Sequence, residues 1–172
     1  MKKILILFTV LFSFCLSAFA EYKPIPKELS KQYKAEMEKV IKKEYPKAIK
    51  NVDKYVKKAK KLHARILKHG YYSNNQMDAI NLSLLYEVCI PSSELDLYSK
   101  LIKITEEKYL HNEYEAIGTD SVNPLSDYLY PYFKDNNVDT KKLDDIALYE
   151  VQQGKIIEKL IEQVEELRPI SD

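Results

Sequence analysis

The segment PKAIKNVDKYVKKAKKLHARILKH, residues 46–69, carries two interleaved patterns. Ile49, Val52, Val56, Ala59 and Ile66 return at helical steps, flanked by Tyr55 and Leu62, with His63 in one seam position. Such a seam, held for over three heptads, predicts a long helix packed along one side, and Gly70 supplies its C-terminal stop. Most of the remaining positions are cationic. Lys47, Lys50, Lys54, Lys57, Lys58, Lys61, Arg65 and Lys68 follow at steps of one, three or four and form a ridge. At helical rise that ridge is about 30 Å long.

Upstream, Leu29, Tyr33, Met37, Val40, Ile41 and Tyr45 keep the same period from Lys27 onward. Pro46 lacks an N–H and disfavours helical geometry in the residue before it, so a break is expected at Tyr45. Downstream, Ser73 and Gln76 form a capping box, and Tyr72 and Met77 a hydrophobic staple. Met77, Ile80, Leu82, Leu84, Leu85 and Val88 make the next helix apolar on several faces, which predicts a central position until Pro91 closes it. Ser92 or Ser93 then caps a helix to about Ala116, stopped at Gly118. Asn123-Pro124 opens a short helix that Pro131 should bend or break. A last long helix runs from Asp139 to about Leu167, before Pro169. Gly154 inside it costs about 1 kcal/mol relative to alanine, which suggests a kink or a close helix contact. No segment alternates with period two. The expectation is an all-α bundle of five or six helices, two of them long (about 46–69 and 139–167), with no β-sheet.

The first twenty residues read as an address. Lys2 and Lys3 precede an apolar run, Ile4 to Phe14, and Ala18-Phe19-Ala20 offers small residues at −3 and −1. A cleavable signal peptide over 1–20 is expected, cut after Ala20, and the short run is too brief to span a bilayer comfortably. Residues 21–172 then form one helical domain, with 21–26 as an extended arm. The location expected is the periplasm or the outside of a cell, Gram-negative by the brevity of the leader. Cleavage removes Cys15 and leaves Cys89 alone in an apolar context, which reads as a buried thiol.

Charge is segregated along the chain. Residues 21–68 hold 16 lysines and arginines against six acids, whereas residues 69–172 hold nine against 20. The ridge could therefore dock an anionic partner, either an envelope component such as lipid or lipopolysaccharide phosphates, or an acidic protein. It could equally be a solvated face, or one turned toward Glu158, Glu162, Glu165 and Glu166. A second candidate is aromatic: Tyr128, Tyr130, Tyr132 and Phe133 crowd a short stretch and could form a binding platform or ordinary packing.

Chemistry-bearing motifs are scarce. With three glycines, the chain has no phosphate-cradling loop, and HExxH, GxSxG and CxxCH are missing. Glu107, His111 and Glu115 could share one helical face, but a ladder of hydrogen bonds is the plainer reading. No metal, cofactor, catalytic residue or specific nucleic-acid readout is expected. The sequence thus describes an exported, non-catalytic helical protein that binds an anionic partner through its basic helix. The alternative is an envelope structural or adhesin-like protein that self-associates into a homo-oligomer through its long seams.

Overall fold

The computed structural model describes residues 22–70, 76–114 and 121–167. Among them the chain is all-helical, with four helices and no strand. Helix α1 is Ser30–His69, α2 covers residues 76–110, α3 is Val122–Asp135 and α4 is Lys141–Glu165. The leader over 1–20, the Ser73 capping box with its Tyr72 staple, the Gly118 stop and Pro169 lie outside the described residues.

Four helices replace the expected five or six because three prolines do not break the helices that contain them. Pro46 sits inside the 40-residue α1, which reaches about 60 Å at helical rise. The carbonyl it leaves without a helical donor belongs to Lys42, on the exposed side, where water can take over the bond. Pro131 stays within α3 for the same reason, since its freed acceptor belongs to the exposed Asp127. Pro91 is absorbed differently. Residues Leu85–Cys89 form a π-turn, in which the Ile90 N–H reaches back to the Leu85 carbonyl. That wider turn precedes the proline and lets one helix continue to Leu110 through a second π-turn, Thr105–Leu110. Ser92 consequently caps nothing, and its Oγ donates to the Cys89 carbonyl at 2.6 Å.

Helix ends follow elementary rules more closely. Gly70 takes a φ of 77°, and its N–H closes the last turn of α1 onto the Ile66 carbonyl. Helix α2 ends six residues before the expected Ala116, with His111 in the left-handed region. The arm, residues 22–26, is extended and folds back. Ile25 enters the core, and the Tyr22 ring lies 4.9 Å from that of Tyr132.

Two apolar clusters divide the interior. The first joins Tyr33, Met37, Ile41 and Ala48 of α1 to Leu97, Leu101 and Ile102 of α2, Leu125 and Leu129 of α3, and Leu143 and Ile146 of α4. The second joins Val52, Val56, Ala59, Leu62 and Ile66 to Leu82, Leu85 and Ile90 of α2, and to Ile157 and Val164 of α4. The N-terminal part of α2 is not central as its composition suggests: Met77, Ile80, Leu84 and Val88 are exposed along one stripe.

Candidate functional site

The basic ridge occupies the face of α1 opposite its seam. Lys47, Lys50, Lys54, Lys57, Lys58, Lys61, Arg65 and Lys68 are all exposed. Lys47 pairs with Glu44 at 2.7 Å, and Arg65 with Asp78 at 2.7 Å. The other six make no ion pair among the described residues. In particular, none pairs with Glu158 or Glu162 of α4 or with Glu166 just past its end, which are themselves exposed. Lys47, Lys50, Lys54 and Lys57, with Asn51 and Asp53, border an open depression of about 680 Å³. Asp53 is engaged from α4, accepting a hydrogen bond from the Tyr149 hydroxyl at 2.5 Å. That bond fixes α4 beside the ridge without placing a carboxylate on the lysines.

The aromatic residues are dispersed rather than presented together. Tyr132 and Phe133 are buried in the first cluster, and Tyr128 is half-buried with its ring 5.6 Å from that of Tyr132. Tyr130 is the exposed member of the four, with the Lys134 ammonium 5.9 Å above its ring. The Glu107–His111–Glu115 face does not extend as one helix, because α2 stops at Leu110 and Glu115 lies outside the described residues. Among the described residues no three His, Cys, Asp or Glu side chains converge as a metal site. Cys89 is a half-buried free thiol.

A third site was not anticipated from sequence. Glu94 of α2 and Glu150 of α4 are each only 7% exposed. They face one another closely enough for their carboxyl groups to hydrogen-bond. They fall where the two apolar clusters part: Glu94 lies between Ile90 and Leu97, and Glu150 between Ile146 and Ile157. Burial, the largest cause, lifts Glu94 to about 7, with Asp144 adding to the rise. Burial likewise lifts Glu150 to about 8, reinforced by the charge of Glu94. Two carboxyls this close and this dry hold a proton between them near neutral pH. Even so, Glu150 Oε1 is buried with no hydrogen-bond partner among the described residues.

The pair borders a groove of about 460 Å³ between α2 and α4. Its walls are Tyr86, Ile90 and Pro91 on one side and Ala147, Val151 and Gly154 on the other, with Glu87, Glu158 and Lys155 also lining it. Gly154 is the close helix contact that the sequence suggested: a Cβ there would stand 3.3 Å from the Tyr86 ring. A sequence signal for the pair did exist. Glu150 falls on the buried register Leu143–Ile146–Gly154–Ile157, and Glu94 on Ile90–Leu97–Leu101. A charge in a seam position is the informative kind of polar residue.

Glu44 offers a contrast within the same fold. It is 9% exposed, but Lys47 and Lys100 reach its two oxygens at 2.7 and 2.9 Å. Those hydrogen bonds hold its carboxyl down at about 2.

Comparison of the chain with family models, curated proteins and solved structures returned no match.

Proposed function

We propose that this is an exported, non-catalytic binding protein of the bacterial envelope that docks an anionic partner along the outer face of α1. The observation that supports this reading is the exposure of six ridge cations that make no ion pair among the described residues. They run along a helix that Pro46 does not interrupt. A row of hydrated ammonium groups along one helix attracts a polyanion over its whole length, and docking releases the counterions of both surfaces. The leader-like first twenty residues supply the export half of the proposal. Among the described residues no helix is long and apolar enough to cross a membrane.

Retention of residues 21–172 on immobilised heparin at low salt tests the docking face. The protein should bind and elute early as salt rises, and charge reversal at Lys54, Lys57, Lys58 and Lys61 to Glu should abolish retention. Unchanged elution of that variant would end the proposal.

A second reading has its own support. Met77, Ile80, Leu84 and Val88 form an exposed apolar stripe on α2, suited to self-association. Light scattering across a concentration series separates the two, since a self-associating protein grows in mass with concentration and a pure polyanion binder does not.

A further inference from the structure

The groove between α2 and α4 combines three properties that point to one ligand chemistry. Its walls are apolar on both sides, from Tyr86, Ile90 and Pro91 to Ala147 and Val151. Its charge is strongly biased, with Glu87, Glu94, Glu150 and Glu158 against Lys155 alone. Beside these walls sits Glu150, more than nine-tenths buried, with one oxygen that accepts nothing among the described residues. A volume of about 460 Å³ lies in the range of small-molecule sites. We propose that this groove binds a small protonated aliphatic amine, whose ammonium sits between the carboxyl groups of Glu94 and Glu150.

The chemistry follows from what each group lacks. A primary ammonium has three donors and no acceptor, which matches the one carboxylate left when a proton departs, with its vacant lone pair, and the carbonyl oxygen of the neighbouring carboxyl. The aliphatic body of the ligand would cover the exposed Val151 and the half-buried Tyr86 ring. Binding exchanges one positive charge for another: the ammonium enters and the shared proton leaves to solvent. The fold already shows the equivalent arrangement at Glu44, where two lysine ammonium groups hold a buried carboxylate in its ionised form. At Glu94 and Glu150 the protein supplies no such cation among the described residues.

Other charges around the pair set the pH window. Asp144 and Tyr98 lie near Glu94, and Glu87, Glu158 and Lys155 line the groove. From α1 the corresponding core positions are the apolar Ala48 and Val52, with Glu44 already engaged by its lysines. The net field is negative, so it favours a cationic ligand and opposes loss of the proton until that ligand arrives.

The test is titration of residues 21–172 with n-pentylamine at pH 6, 7 and 8, followed by NMR at Tyr86, Val151 and Gly154. Saturable shifts confined to these residues are expected, with affinity rising about tenfold per pH unit while the pair remains protonated. Proton release should be measurable in weak buffer. Glu150→Gln keeps the shape of the side chain and should weaken binding about tenfold or more at pH 8. Ala147→Lys places a tethered ammonium in the groove and should block the amine while leaving the circular dichroism unchanged. The proposal fails if n-pentanol produces the same shifts, because the groove would then recognise only the aliphatic body. It fails equally if affinity is independent of pH, or if Glu150→Gln binds as the parent does. Concentration-dependent association that Glu150→Gln abolishes, without amine binding, would assign the groove to a lysine of a second copy instead.

Discussion

Two places among the described residues bury carboxyl groups, and they are built in opposite ways. Glu44 is enclosed between α1 and α2 with a lysine on each oxygen, one from its own helix and one from Lys100. Glu94 and Glu150 are enclosed between α2 and α4 with each other for company. Burial alone therefore does not determine the state of a carboxyl. At Glu44 the cations win and the group is ionised at almost any pH. At the other pair desolvation wins, and a proton stays bound into the neutral range. The first arrangement is complete as it stands, whereas the second is incomplete.

The sharpest way to probe this difference is through pH. Folding raises Glu94 and Glu150 to about 7 and 8 from an ordinary value of 4.5, so the folded chain keeps protons that the unfolded chain gives up. Their stability is full below about pH 4.5, erodes above it, and is lost as pH climbs through about 7 and 8. We expect urea titrations to show about 6 kcal/mol less stability at pH 9 than at pH 5 from this source. The Glu94→Gln, Glu150→Gln double variant should flatten that slope. An unchanged slope in the double variant would dissolve the contrast.

Glu44 should behave in the reverse sense. Its depressed carboxyl contributes stability above about pH 4.5, and that contribution disappears as pH falls through about 2. Glu44→Gln is expected to cost about 1 kcal/mol at pH 7, a modest figure because both lysine partners are largely exposed. Comparing chemical unfolding of the variant and the parent at pH 7 and again at pH 2 checks both the size and the sign.

Making one site resemble the other is a finer experiment. Ala147→Lys would bring an ammonium to the groove wall, pull Glu150 down toward the ordinary carboxylate range, and raise stability at pH 8 by about 1 kcal/mol. The pH-dependent chemical shift of the Glu150 side chain would report this directly. The smallest effect is expected from Lys100→Met, which strips one cation from Glu44 while Lys47 remains. A loss of about 0.5 kcal/mol at pH 7, with the acid transition moved upward, would fit the shared arrangement.

The sequence made the helical build readable because amphipathic period survives in every segment. The seam Val52–Val56–Ala59–Ile66 and the Gly70 stop both stand where the pattern places them. What misled was punctuation. Pro46 and Pro131 leave unsatisfied carbonyls on residues that already face water, so the helix continues at low cost. Pro91 is accommodated by a π-turn, a backbone choice with no residue code of its own. The apolar stripe at Met77, Ile80, Leu84 and Val88 suggested a central helix, because composition cannot tell a buried face from one left uncovered. The ridge cations could be named from spacing alone, while Tyr132 and Phe133 went inside because α3 turns them toward Leu125 and Leu129. The carboxyl pair was missed because its members are 56 positions apart, and only the packing of α2 on α4 brings them together.

The wide turn at Leu85–Cys89 gives α2 an unusual tolerance. A π-turn is an α-helix that has accepted one surplus residue, whereas in a regular stretch each residue is worth about 100° of rotation and 1.5 Å of advance. Deleting a single position within the wide turn would let it relax to an ordinary one, leaving Leu82 on the line it shares with Val56 and Ile66. The same deletion in a regular stretch of the rod would swing everything on one side of it by more than a quarter revolution. The bulge is thus a place along α2 where a lost codon need not unseat the greasy strip.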